Sequence, residues 1–165
     1  MQLYTPISKS DLHRLLIAAA LSEGETLIHR CTLSEDIHAT ARVLQALGRS
    51  VTFGEDCITV GGKLELDRHV RCCDCGESGS TLRSLVPVLA ALGHSAVFTG
   101  KGRLPQRPME PMLTRWREHG VQIALPTGGE TLPLELTGHL QSGDFVFAGD
   151  ISSQYITGVL FALPL

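Results

Sequence analysis

A chain of 165 residues, 43% hydrophobic and 19% charged, is long enough for one sizeable core and has the balance of a folded domain, not of a disordered segment. Its formal net charge of −3 argues against general nucleic-acid binding, so any anion site must be local. No apolar run reaches the length of a membrane span, and the N-terminal residues 1–6 lack the charged and apolar regions of a signal peptide, which points to a cytoplasmic protein without a membrane partner.

In chain order, the first predicted helix covers residues 11–21. Leu12, Leu15, Leu16, Ala19 and Ala20 recur at helical spacing, Ser10 is a fitting N-cap, and Gly24 supplies the break. Residues 26–29 read as a short strand, and 35–47 as a helix capped by Ser34 and stopped by Gly48. Residues 51–53 and 57–60 form a predicted hairpin across Gly54-Glu55-Asp56. The order then recurs. A strand at about 69–72 leads through the turn Gly76-Glu77-Ser78-Gly79-Ser80 into a helix over 81–92 that ends at Gly93. A strand at 96–99, a helix over 109–119 ending at Gly120, and strands at 121–125 and 132–136 follow. A third round opens with a strand at 144–147, turns at Gly149-Asp150 and enters a helix near Ser153.

Three of these helices open alike, on Ser8-Lys9-Ser10, Ser78-Gly79-Ser80 and Ser152-Ser153-Gln154, each followed by the same apolar spacing. The expected fold is therefore α/β, one domain spanning 1–165 built from repeated strand-helix-strand-helix-strand-strand units at about 1–66, 67–138 and 139–165, the third truncated. Truncation would leave Ile156, Val159, Leu160 and Leu163 without the partners that the sibling helices have, so self-association through that last helix is expected.

Helix N-termini carry unpaired N–H groups and the positive end of the dipole, which suits anions. Taken alone, Ser8 to Arg14 is a capped helix start with a solvated Lys9 and Arg14. The repeat adds weight to an anion site, because Lys9 stands in the turn where the other copies carry Gly79 and Ser153. His13 reads as a structural or surface histidine. The Gly76 to Arg83 segment lacks the Gly-Lys-Ser/Thr ending of a P-loop, and a tight turn before a capped helix explains much of it, although Gly79 lets a ligand approach the backbone. The loop from Gly100 to Met109 carries Lys101, Arg103 and Arg107, and is either a solvated basic loop or, since Pro108 holds Arg107 extended at a helix entrance, a fixed guanidinium for phosphate or carboxylate. Met112 and Trp116 fall on helical spacing and belong to the core.

Cys72-Cys73-Asp74-Cys75, with His69 upstream, invites a zinc or redox reading. No second pair lies at finger spacing, so reduced cysteines lining or ending a strand are the better reading, and neither a metal nor a cofactor is expected.

Pro6-Ile7-Ser8-Lys9-Ser10 with His13-Arg14, Gly76 to Arg83, Thr99-Gly100 with Leu104 to Pro108, and Gly149-Asp150-Ile151-Ser152-Ser153-Gln154-Tyr155 together resemble the N-terminal part of the 5-enolpyruvylshikimate-3-phosphate synthase (3-phosphoshikimate 1-carboxyvinyltransferase) family. The related enolpyruvyl transferases of cell-wall synthesis fit the Ser-Lys-Ser and Ser-Ser-Gln segments poorly. The resemblance implies an inside-out α/β barrel of βαβαββ units, three to a domain and two domains to a protein. It implies transfer of the enolpyruvyl group of phosphoenolpyruvate to the 5-hydroxyl of shikimate-3-phosphate, a step of the shikimate pathway to aromatic amino acids. By the same resemblance, Lys9 contacts phosphoenolpyruvate and assists proton transfer, while Ser10 and Arg14 hold the shikimate carboxylate. Gly79 and Ser80 lie against phosphoenolpyruvate, whose anionic groups Arg107 binds. Ser152 and Ser153 take the 3-phosphate, and Gln154 approaches both substrates. Two departures, Glu77 for a frequent Asn and Ser84 for a frequent Pro, bear on how that helix end is set and so on the inhibitor glyphosate. The family's second domain, which supplies an Asp, a Glu and further cations, has no counterpart here. The expectation is a fragment inactive by itself. The alternative is a non-catalytic anion-binding or interaction module.

Overall fold

The computed structural model describes residues 8–29, 31–64, 69–150 and 152–165. Pro6, Ile7 and Ile151 of the motifs above, and the opening strand of the first unit, lie outside the described residues. Among the described residues, five α-helices, seven strands and one short 3-10 turn follow in the order α1 (Lys9–Leu21), β1 (Thr26–His29), α2 (Glu35–Ala46), β2 (Arg49–Phe53), β3 (Cys57–Gly62), β4 (Arg71–Asp74), α3 (Gly79–Ala91), β5 (Ala96–Thr99), the turn Leu104–Gln106, α4 (Glu110–Glu118), β6 (Val121–Ala124), β7 (Leu134–Gly138) and α5 (Ser153–Ala162).

The strands form two sheets whose orders are β1-β3-β2 and β4-β5-β7-β6. β1 and β2 flank β3 antiparallel, with Thr26 and Val51 both opposite Val60. In the second sheet β5 and β6 flank β7 antiparallel, with Ala96 and Ile123 both opposite Leu136, while β4 joins β5 in parallel. The first sheet thus repeats the last three strands of the second, which is the internal repeat in three dimensions. A shared glycine device marks both copies. Gly48 and Gly120 end helices at φ 91° and 88°, and Gly62 and Gly138 end the final strands at φ 73° and 87°. A side chain at Gly62 would come 3.3 Å from the Gly48 oxygen, and one at Gly138 would come 2.8 Å from the Gly120 oxygen.

α3 is the buried centre. Leu82, Leu85, Val86, Leu89 and Ala90 are inaccessible or nearly so, and the helix packs on α5 most closely and also against α1 and α2. Pro87 sits inside it and leaves the Arg83 carbonyl without its helical N–H partner. Met112 and Trp116 are core residues, as expected, and Trp116 meets Phe145 and Phe147 at ring-centroid distances of 5.6 and 5.9 Å. Cys72 and Cys73 lie on β4 and Cys75 just follows it, Cys72 exposed and the other two buried, and burial pushes the Cys73 thiol up to about 12. Among the described residues no cluster of His, Cys, Asp and Glu could hold a metal ion, and no helix is long and apolar enough to cross a membrane.

Three expectations need correction. Ser10 is not the N-cap of α1; Ser8 is, its hydroxyl accepting from the Asp11 N–H, and Ser10 lies in the first turn. β4 and β7 start two residues later than the apolar pattern suggests, because pairing with β5 fixes their register. Residues 144–147 form no strand, since no neighbouring strand is there to bond them among the described residues. Their alternation is real: Phe145 and Phe147 pack inward while Val146 is 69% exposed.

Candidate functional site

Ser8, Ser78 and Ser152 cap α1, α3 and α5 by the same bond, a hydroxyl accepting from a backbone N–H in the first turn. The three capped ends converge. Ser10, His13 and Arg14 of α1, Ser80 and Ser84 of α3, and Ser153, Gln154 and Thr157 of α5 line one cleft of about 80 Å³. The wall has a simple construction. Each helix contributes a pair four residues apart, Ser10 with Arg14, Ser80 with Ser84 and Ser153 with Thr157, so two turns of each helix face inward. None of these residues is acidic, and three dipole ends and a guanidinium favour negative charge there. A complete small-molecule pocket is about 300 Å³ or more, so this cleft is a cradle for one or two polar groups.

Gln154 ties the cradle together. Its amide donates to Ser80 Oγ at 2.9 Å and its carbonyl accepts from Arg83 Nη1 at 2.8 Å. Arg83 also donates to the Pro108 carbonyl at 3.2 Å and stands 5.4 Å over the ring of Tyr155, whose hydroxyl donates to the same carbonyl. Burial lowers the pKa of Arg83 from the ordinary guanidinium value, opposed by Tyr155 and reinforced by the like charge of Arg107; a guanidinium nevertheless stays charged. Gly79 is the meeting point of these two cations. A side chain there would stand 2.9 Å from Arg107 Nη1 and 3.3 Å from Arg83 Nη1. The Arg107 loop is held from beneath, with Thr131 donating from its N–H and hydroxyl to the Pro105 carbonyl and from its hydroxyl to that of Arg107. Arg107 itself is extended, at φ −75° and ψ 130°, as the following proline requires.

The structure therefore brings Ser10, Arg14, Ser80, Ser153 and Gln154 into one cleft, and sets Gly79 and Arg107 beside each other at the end of α3. Lys9 and Ser152 do not line that cleft. Lys9 is exposed and paired with Asp36 at 2.6 Å, and the Ser152 hydroxyl is engaged by the Gln154 N–H. Arg14 bonds Asp11 at 2.8 Å, an exposed pair. Ser84, Thr157 and the bridging role of Arg83 escape a reading confined to the first turn of each helix; their spacing of four from Ser80, Ser153 and Gly79 was the available signal. A larger concavity of about 800 Å³ at the other end of α1 includes Arg49. That guanidinium is spent on carbonyls, donating to Gly62 at 2.6 Å and Ala19 at 3.0 Å, and closes the helix end.

His13 is the unexpected member. It is buried, 3% exposed, and its Nδ1 lies 2.8 Å from Thr40 Oγ1 of α2. Thr40 meets Thr81 Oγ1 of α3 at 2.7 Å, and Thr81 donates to the cap hydroxyl Ser78 at 2.8 Å. Burial, chiefly, pushes the imidazole pKa down from 6.5 to about 4.

Residues 2–165 match the family model described as EPSP synthase (3-phosphoshikimate 1-carboxyvinyltransferase). A 3-phosphoshikimate 1-carboxyvinyltransferase of Clostridium kluyveri is 41% identical over 164 residues, covering 99% of this chain and 38% of that protein. One from Clostridium perfringens strain SM101 is 39% identical over 161 residues, covering 97% of this chain and 38% of its own length. The solved structure of EPSP synthase from Acinetobacter baumannii superposes with a TM-score of 0.84 at 28% identity, over 97% of this chain and 37% of that one. The chain thus spans 38% of the length of these curated relatives.

Proposed function

The chain belongs to the EPSP synthase (3-phosphoshikimate 1-carboxyvinyltransferase) family, and we propose that its three converging helix ends form part of a site that brings shikimate-3-phosphate and phosphoenolpyruvate together for enolpyruvyl transfer. The observation that carries this reading is the meeting of Ser10, Arg14, Ser80, Ser153 and Gln154 in one cleft that, among the described residues, has no acidic lining. Two polyanions must be held side by side before any chemistry, and fixed donors that need no reorganisation are the effective means. In this proposal Ser10 and Arg14 hold the shikimate carboxylate, and Ser152 and Ser153 hold the 3-phosphate through hydroxyls and first-turn N–H groups. Gly79, Ser80 and Arg107 take phosphoenolpyruvate, with Gln154 between the two substrates. Lys9 contacts phosphoenolpyruvate and moves a proton. Exposed ion pairs contribute about 0–1 kcal/mol, so Lys9 and Arg14 exchange Asp36 and Asp11 for a substrate anion at little cost.

The cleft's small volume supports a second part of the proposal, that these 165 residues alone bind but do not turn over. Titration calorimetry with shikimate-3-phosphate tests the first part. Weak binding is expected, and Arg14→Ala abolishes it; a folded chain that binds nothing would overturn the reading in favour of a scaffold. Release of phosphate above a no-protein control, with both substrates present, would overturn the second part.

We further propose that copies of the chain associate through α5. Leu160 and Leu163 are 63% and 60% exposed, and with Ile156, Phe145 and Val146 they line an apolar groove of about 570 Å³. Sedimentation should show concentration-dependent dimers that Leu160→Glu disperses; a monomer at all concentrations would rule this out.

A further inference from the structure

His13 has only one of its two ring nitrogens accounted for. Nδ1 meets Thr40, while Nε2 is buried and has no hydrogen-bond partner, although the residue lines the cleft. The hydroxyl chain behind it fixes which nitrogen carries the proton. Thr81 donates its single proton to Ser78, so the one proton of Thr40 is taken up between Thr81 Oγ1 at 2.7 Å and the Asp36 backbone carbonyl at 3.3 Å. Thr40 then has only lone pairs left for His13, and Nδ1 must be the donor. The neutral ring therefore leaves Nε2 as a bare, buried acceptor on a residue that lines the cleft.

We propose that His13 is a specificity-determining residue, its Nε2 accepting a hydrogen bond from a hydroxyl group of the ligand held in this cleft. The proposal rests on the reading of the cleft as an anion cradle given above, and adds what that cradle selects. The N–H groups and the Arg14 guanidinium donate, and the serine hydroxyls can do either. Such a lining alone accepts any small oxyanion. An sp² nitrogen with an in-plane lone pair repels an anionic oxygen and rewards an O–H, so the cleft favours a hydroxylated ring anion over a simple phosphate or sulfate. The position of His13, one residue before Arg14 on α1, lets one helix turn hold the anionic group and read the neighbouring hydroxyl.

The test is nitrogen NMR of the imidazoles in the ¹⁵N-labelled chain, titrated with shikimate-3-phosphate and separately with sulfate, which has no hydroxyl donor. In the free chain the Nε2 resonance of His13 should be of the unprotonated type. It should move towards the protonated range with shikimate-3-phosphate and stay in place with sulfate. Binding of shikimate-3-phosphate should weaken about fivefold in His13→Phe and survive in His13→Gln, whose amide oxygen is again an acceptor. Thr40→Val, which leaves Nε2 in place, should let the ring sample both tautomers. A protonated Nε2 in the free chain, or shikimate-3-phosphate binding that leaves Nε2 unmoved, overturns the proposal alone. Absence of any shikimate-3-phosphate binding by the folded chain overturns the cradle reading, and the proposal with it.

Discussion

The guanidinium of Arg83 donates to the side-chain carbonyl of Gln154 at 2.8 Å, joining two helices across 71 positions of sequence. With its second nitrogen on the Pro108 carbonyl and its face over Tyr155, it links α3, α5 and the entrance to α4. A lysine keeps the charge but has no fork, so it cannot bridge Gln154 and Pro108 together. Arg83→Lys should lose about 1–2 kcal/mol in urea unfolding and should also weaken shikimate-3-phosphate binding, because Gln154 is then free to turn away from Ser80. Equal affinity in the variant would show that Gln154 is held by Ser80 alone.

Gly158 of α5 sits close against the α3 backbone. A side chain there would collide with the Arg83 carbonyl oxygen and stand 2.9 Å from Pro87 Cγ. The carbonyl is the one that Pro87 leaves without a helical donor, so a proline on one helix and a glycine on the other form one packing device. Alanine gains at most about 1 kcal/mol of helix propensity, while overpacking against a backbone atom costs about 1–3 kcal/mol. Gly158→Ala is therefore expected to destabilise, with a lowered urea midpoint; a midpoint at or above that of the wild type would show that α5 shifts freely.

Gly79→Ala separates stability from binding. Gly79 is a helical residue without a positive φ, so alanine is tolerated by the backbone and favoured by propensity. Its methyl group would nonetheless press on Arg107 at 2.9 Å and on Arg83 at 3.3 Å. The expected outcome is an unchanged or higher urea midpoint with phosphoenolpyruvate affinity reduced about tenfold, a loss of about 1.4 kcal/mol. Unchanged affinity would mean that Arg107 does not meet the ligand at this helix end.

The sequence reveals that these three helices open on serine turns, because a cap needs only a hydroxyl and the apolar spacing that follows, but not which serine caps: on α1 it is Ser8, not Ser10, while Ser78 and Ser152 cap α3 and α5. That Ser10, Arg14, Ser80, Ser153 and Gln154 meet in one cleft is legible in part, because all lie within the first two turns of those helices. Strand order is not legible, since β3 and β7 reach the middle of their sheets through cross-strand bonds that no local pattern encodes. The alternation at 144–147 correctly reports an inner and an outer face, but a strand also needs a bonded neighbour. His13, which reads as structural or surface, is structural, buried and bonded to Thr40, but its place in the cleft lining is not legible. Its ring is held by Thr40, which α2 brings to it from 27 positions away, and by the hydroxyl chain that continues into α3.

Burial of neutral His13 also sets a pH dependence whose sign can be worked out. The folded chain resists protonation until about pH 4, chiefly because charging a buried ring forfeits its hydration; Asp36 opposes this and the positive charge of Lys9 adds to it. The unfolded chain takes up the proton near the ordinary value of 6.5. Between these values the unfolded state binds more protons, so stability rises with pH through that window. The contribution of His13 is complete above about pH 6.5 and is lost progressively as pH falls to about 4, by at most about 3 kcal/mol. His13→Gln removes the titrating group while leaving a polar side chain, so the difference between the two urea-stability profiles isolates this residue from the other histidines. The difference should open only below about pH 6.5, in the direction of a wild type that weakens faster. Parallel profiles down to about pH 4 would mean that water reaches the ring, in which case Nε2 already has a partner and is not the bare acceptor that the proposal requires.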